Sequence, residues 1–269
     1  MLSTPRSIRR WILMLALLLA AEPGLGTVSA AAPPERGPVE QLNEVVALAQ
    51  ELVDLTVEAL DIYWTEWFLD RGLNEPWVMI QTLGPDQSWT SNCVDSFTGE
   101  PLVVTGMTNN AMYCSADSGQ DASGNRIAGV IIVPLVPLAV MAGGNMWGRG
   151  EIPPGNYAPV AMIAHEFGHH VQDELSSQLR LTYPPNPEIE LLADCFAGRF
   201  LGIWNDFEPL DGAQIDAILL GWGLIGDANA TDQSHGTPGQ RRFALGVGFN
   251  SGDDAPSACI DTYWPGVTV

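Results

Sequence analysis

Two histidines and a glutamate stand together in His165-Glu166-Phe167-Gly168-His169. A helix brings residues four apart onto one face, about one turn from each other, so both imidazoles can reach one metal ion. Between them, Glu166 has a carboxylate able to take a proton from an attacking water, the general-base role in zinc hydrolases. The pattern arises by chance on the order of once in a hundred chains of this size, so it carries weight. Two histidines leave a catalytic zinc short of a ligand, because such sites keep three protein ligands and one open position. The chain has only four histidines. His170 adjoins His169 and points about 100° away on a helix, so it reads as a hydrogen-bonding neighbour. The third ligand is therefore His235 or a carboxylate.

After Pro184, Pro185 and Pro187 a new helix start reads in Glu188-Ile189-Glu190-Leu191-Leu192-Ala193-Asp194-Cys195. Glu190 and Asp194 are four apart and share a face. One carboxylate on such a face can bind the metal while the other, one turn on, accepts a hydrogen bond from a ligand histidine and fixes its tautomer. This logic assigns Glu190 to the metal with His165 and His169, and Asp194 to His165. Glu188, two residues off that face, is the rival ligand, and an acidic helix start favoured by its dipole is the bland reading. Gln172 and Leu175 stand where an extended third-histidine pattern needs glycine and histidine, which excludes that subclass.

The elements that must position these residues follow from hydrophobic periodicity. Leu42, Val45, Val46, Ala49, Leu52, Val53, Leu60, Tyr63, Trp64 and Trp67 recur at helical spacing, giving a long amphipathic helix that ends near Arg71-Gly72. Residues 77–83 read as a short strand before a Gly84-Pro85-Asp86 turn, and residues 127–135 as a buried strand. The metal-site histidines fall in a helix over residues 158–176 whose apolar lead predicts a buried floor. Residues 143–156, rich in glycine and proline, form a loop beside it, and residues 212–224 a further packing helix. Cys93 and Cys114 flank two strand-like segments, so a disulfide there ties strands or a strand and its loop, whereas a zinc knuckle lacks its CxxC pair. Cys259 is the natural partner of Cys195.

Composition narrows the rest. A chain of 269 residues with 32 Asp and Glu against 11 basic residues has little with which to bind phosphate backbones, so a nucleic-acid partner is not expected. All the basic residues are arginine, and the lack of lysine excludes Schiff-base chemistry and a P-loop. Arg6, Arg9 and Arg10 precede an apolar run over residues 11–21, followed by the small residues Val28, Ser29 and Ala30. That is the layout of a secretory signal peptide, 1–30, ahead of a catalytic domain, 31–269. The run is too short to cross a bilayer as a helix, so a released, extracytoplasmic protein is expected rather than one tethered by an uncleaved signal.

Three segments, "HEFGHHVQ" from His165, "ELLADCFAG" from Glu190 and "SHGTPGQR" from Ser234, resemble in this order a bacterial family of neutral zinc metallopeptidases. They are also similar to the wider gluzincin pattern, HExxH followed by ExxxD. The resemblance implies a zincin-like α+β fold, mostly helical with a small sheet as cleft wall. It implies His165, His169 and Glu190 as zinc ligands, Glu166 as base and Asp194 as the partner of His165. Asp227-Ala228 stands where the resemblance leads us to expect an acidic pair. Asn110 and Ala111 resemble the strand with which gluzincins hold a peptide backbone, and His235 is a candidate donor to the oxyanion of a tetrahedral intermediate. Arg241 or Arg242 is a candidate to orient a carboxylate. The expectation is a secreted peptidase acting on peptides or proteins. A catalytically silent zinc-fold scaffold and a cell-wall amidase are the alternatives.

Overall fold

A computed structural model describes residues 37–267, apart from 75, 96–97, 121, 125, 208, 229–234 and 253–254. The expected signal segment lies outside the described residues. Helix α1, Pro38–Leu69, has proline in its first turn, where a missing N–H costs no intrahelical bond. Its buried side takes up the later part of the stripe read from sequence, including Val53, Leu60 and Trp64, and adds Phe68, while Leu42 and Val45 of that stripe are exposed. Trp64 packs edge-on against Phe196 of a later helix at 4.9 Å between ring centres.

Three strands form the main sheet: β1, Met79–Leu83, β7, Val130–Pro134, and β4, Met112–Cys114, in the order β1-β7-β4. Central β7 is buried along its whole length, runs parallel to β1 and antiparallel to β4, and has β4 as an edge strand of this sheet. A two-stranded ribbon, β2 at Ser88–Val94 with β3 at Pro101–Thr105, joins this sheet through the Cys93–Cys114 disulfide. A second short ribbon pairs β5, Gly119–Gln120, with β6, Arg126–Ile127.

The apolar run expected as one strand over 127–135 divides. Ile127 belongs to β6, and after β7 the chain turns directly into helix α2, Leu135–Ala142. Pro137 falls in the first turn of α2, where proline is tolerated. A fully buried run has no polar face to give its period, so pattern alone could not find this switch.

Four longer helices complete the α+β chain. They are α3, Tyr157–Leu179, α4, Glu188–Phe207, α5, Gly212–Leu224, and α6, Pro238–Asn250, with a shorter α7, Ala255–Tyr263, after them. Helix α3 exceeds its expected span by a few residues and stops at Arg180, which adopts a left-handed φ of 56°. Capping boxes open α5, from Asp211 and Gln214, and α6, from Thr237 and Gln240. Helix α6 was not foreseen.

Helices α4 and α6 cross with backbones in contact. A Cβ on Gly198 would lie 2.0 Å from the Leu245 carbonyl oxygen, and one on Gly248 1.8 Å from that of Cys195. The second disulfide, Cys195–Cys259, fastens α7 to α4. Two disulfides mark a chain suited to an oxidising, extracytoplasmic setting. No helix among the described residues is long and apolar enough to cross a membrane.

Candidate metal centre

Helices α3 and α4 bring His165, His169 and Glu190 together. Nε2 of His165 lies 3.2 Å from Nε2 of His169. Oε2 of Glu190 is 3.3 Å from the first and 3.5 Å from the second. A tetrahedral ion with bonds of about 2.0–2.1 Å sets its ligands about 3.3–3.4 Å apart, so this triangle has the edge lengths of one face of such a site.

Both imidazoles are held so that Nε2 faces the triangle. Nδ1 of His165 lies 2.8 Å from Asp194 Oδ1, a group that only accepts, so its proton belongs on Nδ1. His169 is set by Gln172. The Gln172 amide donates to the Ile189 carbonyl at 2.7 Å, which turns its oxygen toward His169 Nδ1 at 3.0 Å. Gln172 therefore fixes a tautomer on α3 while it anchors the first turn of α4, beside Glu190. With both protons on Nδ1, the three atoms of the triangle are lone-pair acceptors, and Glu190 Oε2 is buried with no donor of its own among the described residues. Convergent acceptors, one of them buried without a donor, fit a cation.

Asp194 is fully buried at 0% exposure and saturated. Arg241 grips it with two bonds, Nε to Oδ2 at 2.8 Å and a terminal nitrogen to Oδ1 at 2.7 Å, and the Trp222 indole N–H donates to Oδ1 at 2.7 Å. Burial pushes its carboxyl upward, but the Arg241 guanidinium and His165 outweigh this and hold it below the usual range. Thus Arg241 orients a carboxylate, as considered from sequence, and that carboxylate is the protein's own. Arg242 instead donates to the Pro238 carbonyl. Trp222, expected only to pack, supplies a hydrogen bond as well.

Electrostatics agree with the geometry. Burial works against a charge on His165, yet Asp194 and Glu190 outweigh it and push the imidazole up to about 10. Burial also opposes ionisation of Glu190, but His169 and His165 hold it well below the ordinary carboxylate value. The centre is built to retain positive charge, as a proton or as a metal ion. Glu166, 5% exposed, is raised mainly by burial, while the two histidines and the Tyr113 amide partly counter the rise. Tyr113 donates its backbone N–H to Glu166 Oε2 at 2.9 Å, and its hydroxyl to Asp173 at 2.8 Å. The amide support comes from β4, so the sheet edge and the HExxH helix meet at this carboxylate.

His170 is not a hydrogen-bonding neighbour of the ligands. It is fully buried, packed against the rings of Tyr113 and Phe167, and burial pushes it down to about 4, only partly offset by the Pro76 carbonyl.

A cleft of about 560 Å³ opens over the triangle and Glu166. Asn110 and Ala111 line it immediately before β4, and His235 lines it too. Both the backbone N–H and the ring of His235 engage Asp227 Oδ2, at 2.7 and 3.3 Å. Sequence reading noted Asp227 only for its lack of an acidic neighbour and missed this pairing. It missed Gln172 too, although its place three residues after His169 is a helical contact spacing.

No family model matches the chain, and no solved structure matches it with statistical significance. It is 31% identical over 122 residues to an uncharacterized protein, YpfJ, of Escherichia coli strain K12, covering 38% of this chain and 42% of that protein. It is 29% identical over 139 residues to an uncharacterized protein, Rv2575, of Mycobacterium tuberculosis, covering 40% of this chain and 45% of that protein. The chain thus spans less than half the length of these curated relatives.

Proposed function

We propose that this chain is an extracytoplasmic zinc-dependent peptidase of zincin-like fold. The observation that carries the reading is the convergence of lone-pair atoms from His165, His169 and Glu190, with Glu190 Oε2 buried and without a hydrogen-bond partner among the described residues, beside the carboxylate of Glu166. When bound there, a zinc ion supplies Lewis acidity, polarising a carbonyl and acidifying a water. The protein's own groups do the remaining work. Ala111 and Asn110, next to edge strand β4, receive an extended peptide backbone. Glu166, steadied by the Tyr113 amide, takes a proton from the attacking water and passes it to the leaving amine. His235, braced by Asp227, donates to the oxygen that gains negative charge. Asp194, with Arg241 and Trp222, keeps His165 in one tautomer throughout.

Metal analysis of purified protein tests the centre, with about one zinc per chain expected. Glu166→Gln is expected to retain that zinc and to lose chelator-sensitive peptide cleavage by on the order of a hundredfold or more. Turnover undiminished in this variant would remove Glu166 from its role.

A further inference from the structure

The wall of the cleft contributed by residues 143–156 has two features that the proposed mechanism does not use. Arg149 lines the cleft and is exposed. Among the described residues its guanidinium has no ion pair or hydrogen bond, whereas the other arginine of the cleft, Arg241, is fully engaged by Asp194. Among the described residues, the remaining ionisable lining consists of Tyr113, the carboxylates Glu166, Glu190 and Asp227, and the histidines His165, His169 and His235. In a chain of net charge −21, an arginine facing a cleft of this sort with no acid against it stands out.

The second feature is the backbone that presents it. Trp147, two residues earlier and also in the lining, has a left-handed φ of 56°, a conformation costly for a bulky side chain. The turn is held by Met146 N–H to the Gly150 carbonyl at 2.9 Å, Arg149 N–H to the Met146 carbonyl at 3.0 Å and Gly148 N–H to the Asn145 side chain at 2.8 Å. The Trp147 indole donates to the Pro137 carbonyl at 3.0 Å, tying the turn to α2. This wall is therefore a braced turn that presents to the cleft both Trp147 and a cation without an ion pair among the described residues.

We infer that the turn over residues 145–151 is a substrate clamp in which Arg149 binds a carboxylate of the peptide, an acidic side chain or a free C-terminus. Guanidinium and carboxylate match as a two-bond pair, and a bound anion supplies the charge that this arginine lacks. The protein's overall negative field opposes such a substrate at long range. That field is screened beyond about 8 Å at physiological salt, whereas a direct contact is not, so the local arginine decides.

The inference rests on the peptidase reading of the same cleft, and two measurements keep the two apart. Zinc-loaded protein and its Arg149→Gln variant are given matched peptides with Glu or Gln at each position, each with a free or an amidated C-terminus. Wild type is expected to favour the carboxylate-bearing member about tenfold in kcat/KM, as one charged contact provides, and Arg149→Gln to lose the preference while cleaving neutral peptides normally. Arg149→Lys retains part of it. A preference that follows the internal Glu assigns the contact to a side chain, and one that follows the free terminus assigns it to the C-terminal carboxylate. Equal handling of charged and neutral peptides by wild type overturns the clamp. If nothing is cleaved, the peptidase reading fails instead. Fluorescence anisotropy with the same zinc-loaded proteins then tests the clamp alone, where equal affinity for acidic and neutral peptides overturns it.

Discussion

Gln172 has its amide in one sense because the Ile189 carbonyl can only accept, and that sense decides which nitrogen of His169 carries the proton. Replacing it frees the ring to present either nitrogen and unties the start of α4 from α3. Gln172→Ala should therefore weaken zinc binding by roughly 10–100-fold, measured by competition with a chelator. Unchanged affinity in a folded variant would reduce Gln172 to packing. The ligands themselves were legible in the sequence because their logic is local: His165 and His169, like Glu190 and Asp194, repeat at one helical turn. The groups that restrain Asp194 were not, since Trp222 and Arg241 lie 28 and 47 residues further along and no period joins them. Hydrogen bonds between distant elements are decided by tertiary packing, and composition gives no hint of them.

At the scale of elements, the separation of the ligand helices depends on bare backbone. Gly168, between the two histidines, meets Ala193 of α4 closely, with an added Cβ only 3.1 Å from its Cα. Asp194 comes next, and this approach sets it against His165. Helix α6 in turn delivers Arg241 because Gly248 lets it lie on α4. Gly248→Ala is expected to destabilise the protein by about 3 kcal/mol or more through overpacking, read as a lowered urea midpoint. Gly246, on the same helix, meets nothing within 4 Å. Gly246→Ala should leave stability unchanged or raise it by up to about 1 kcal/mol, so a common sign for both would refute the close-contact account. Periodicity revealed α1, whose polar face is exposed, while α3 and the start of α4 were legible from the spacing of their histidines and carboxylates. It failed at residues 127–142, apolar on every side, and at α6, where glycines lower helical propensity and contact with α4 restores the helix.

For the molecule as a whole, the cleft is built between a helical half and a sheet half, and each half has its own disulfide. Cys195–Cys259 closes behind Asp194, and Cys93–Cys114 closes on the end of β4. The latter has a consequence in time. Cys114 directly follows Tyr113, whose amide steadies Glu166, so the strand that supports the base is held by its ladder to β7 and, once oxidised, by the disulfide as well. The candidate metal ligands His165, His169 and Glu190 are carried by α3 and α4 and do not depend on that bond. On the proposed peptidase reading, a chain whose Cys93 and Cys114 are still reduced can thus hold its metal and yet be a poorer hydrolase than the oxidised protein. Replacing both Cys93 and Cys114 by serine should leave metal content unchanged while kcat falls about tenfold or more, the size expected for a displaced catalytic group. Full turnover in the serine variant would show that β4 is poised before the bond forms, and that the latch has no part in when cutting begins.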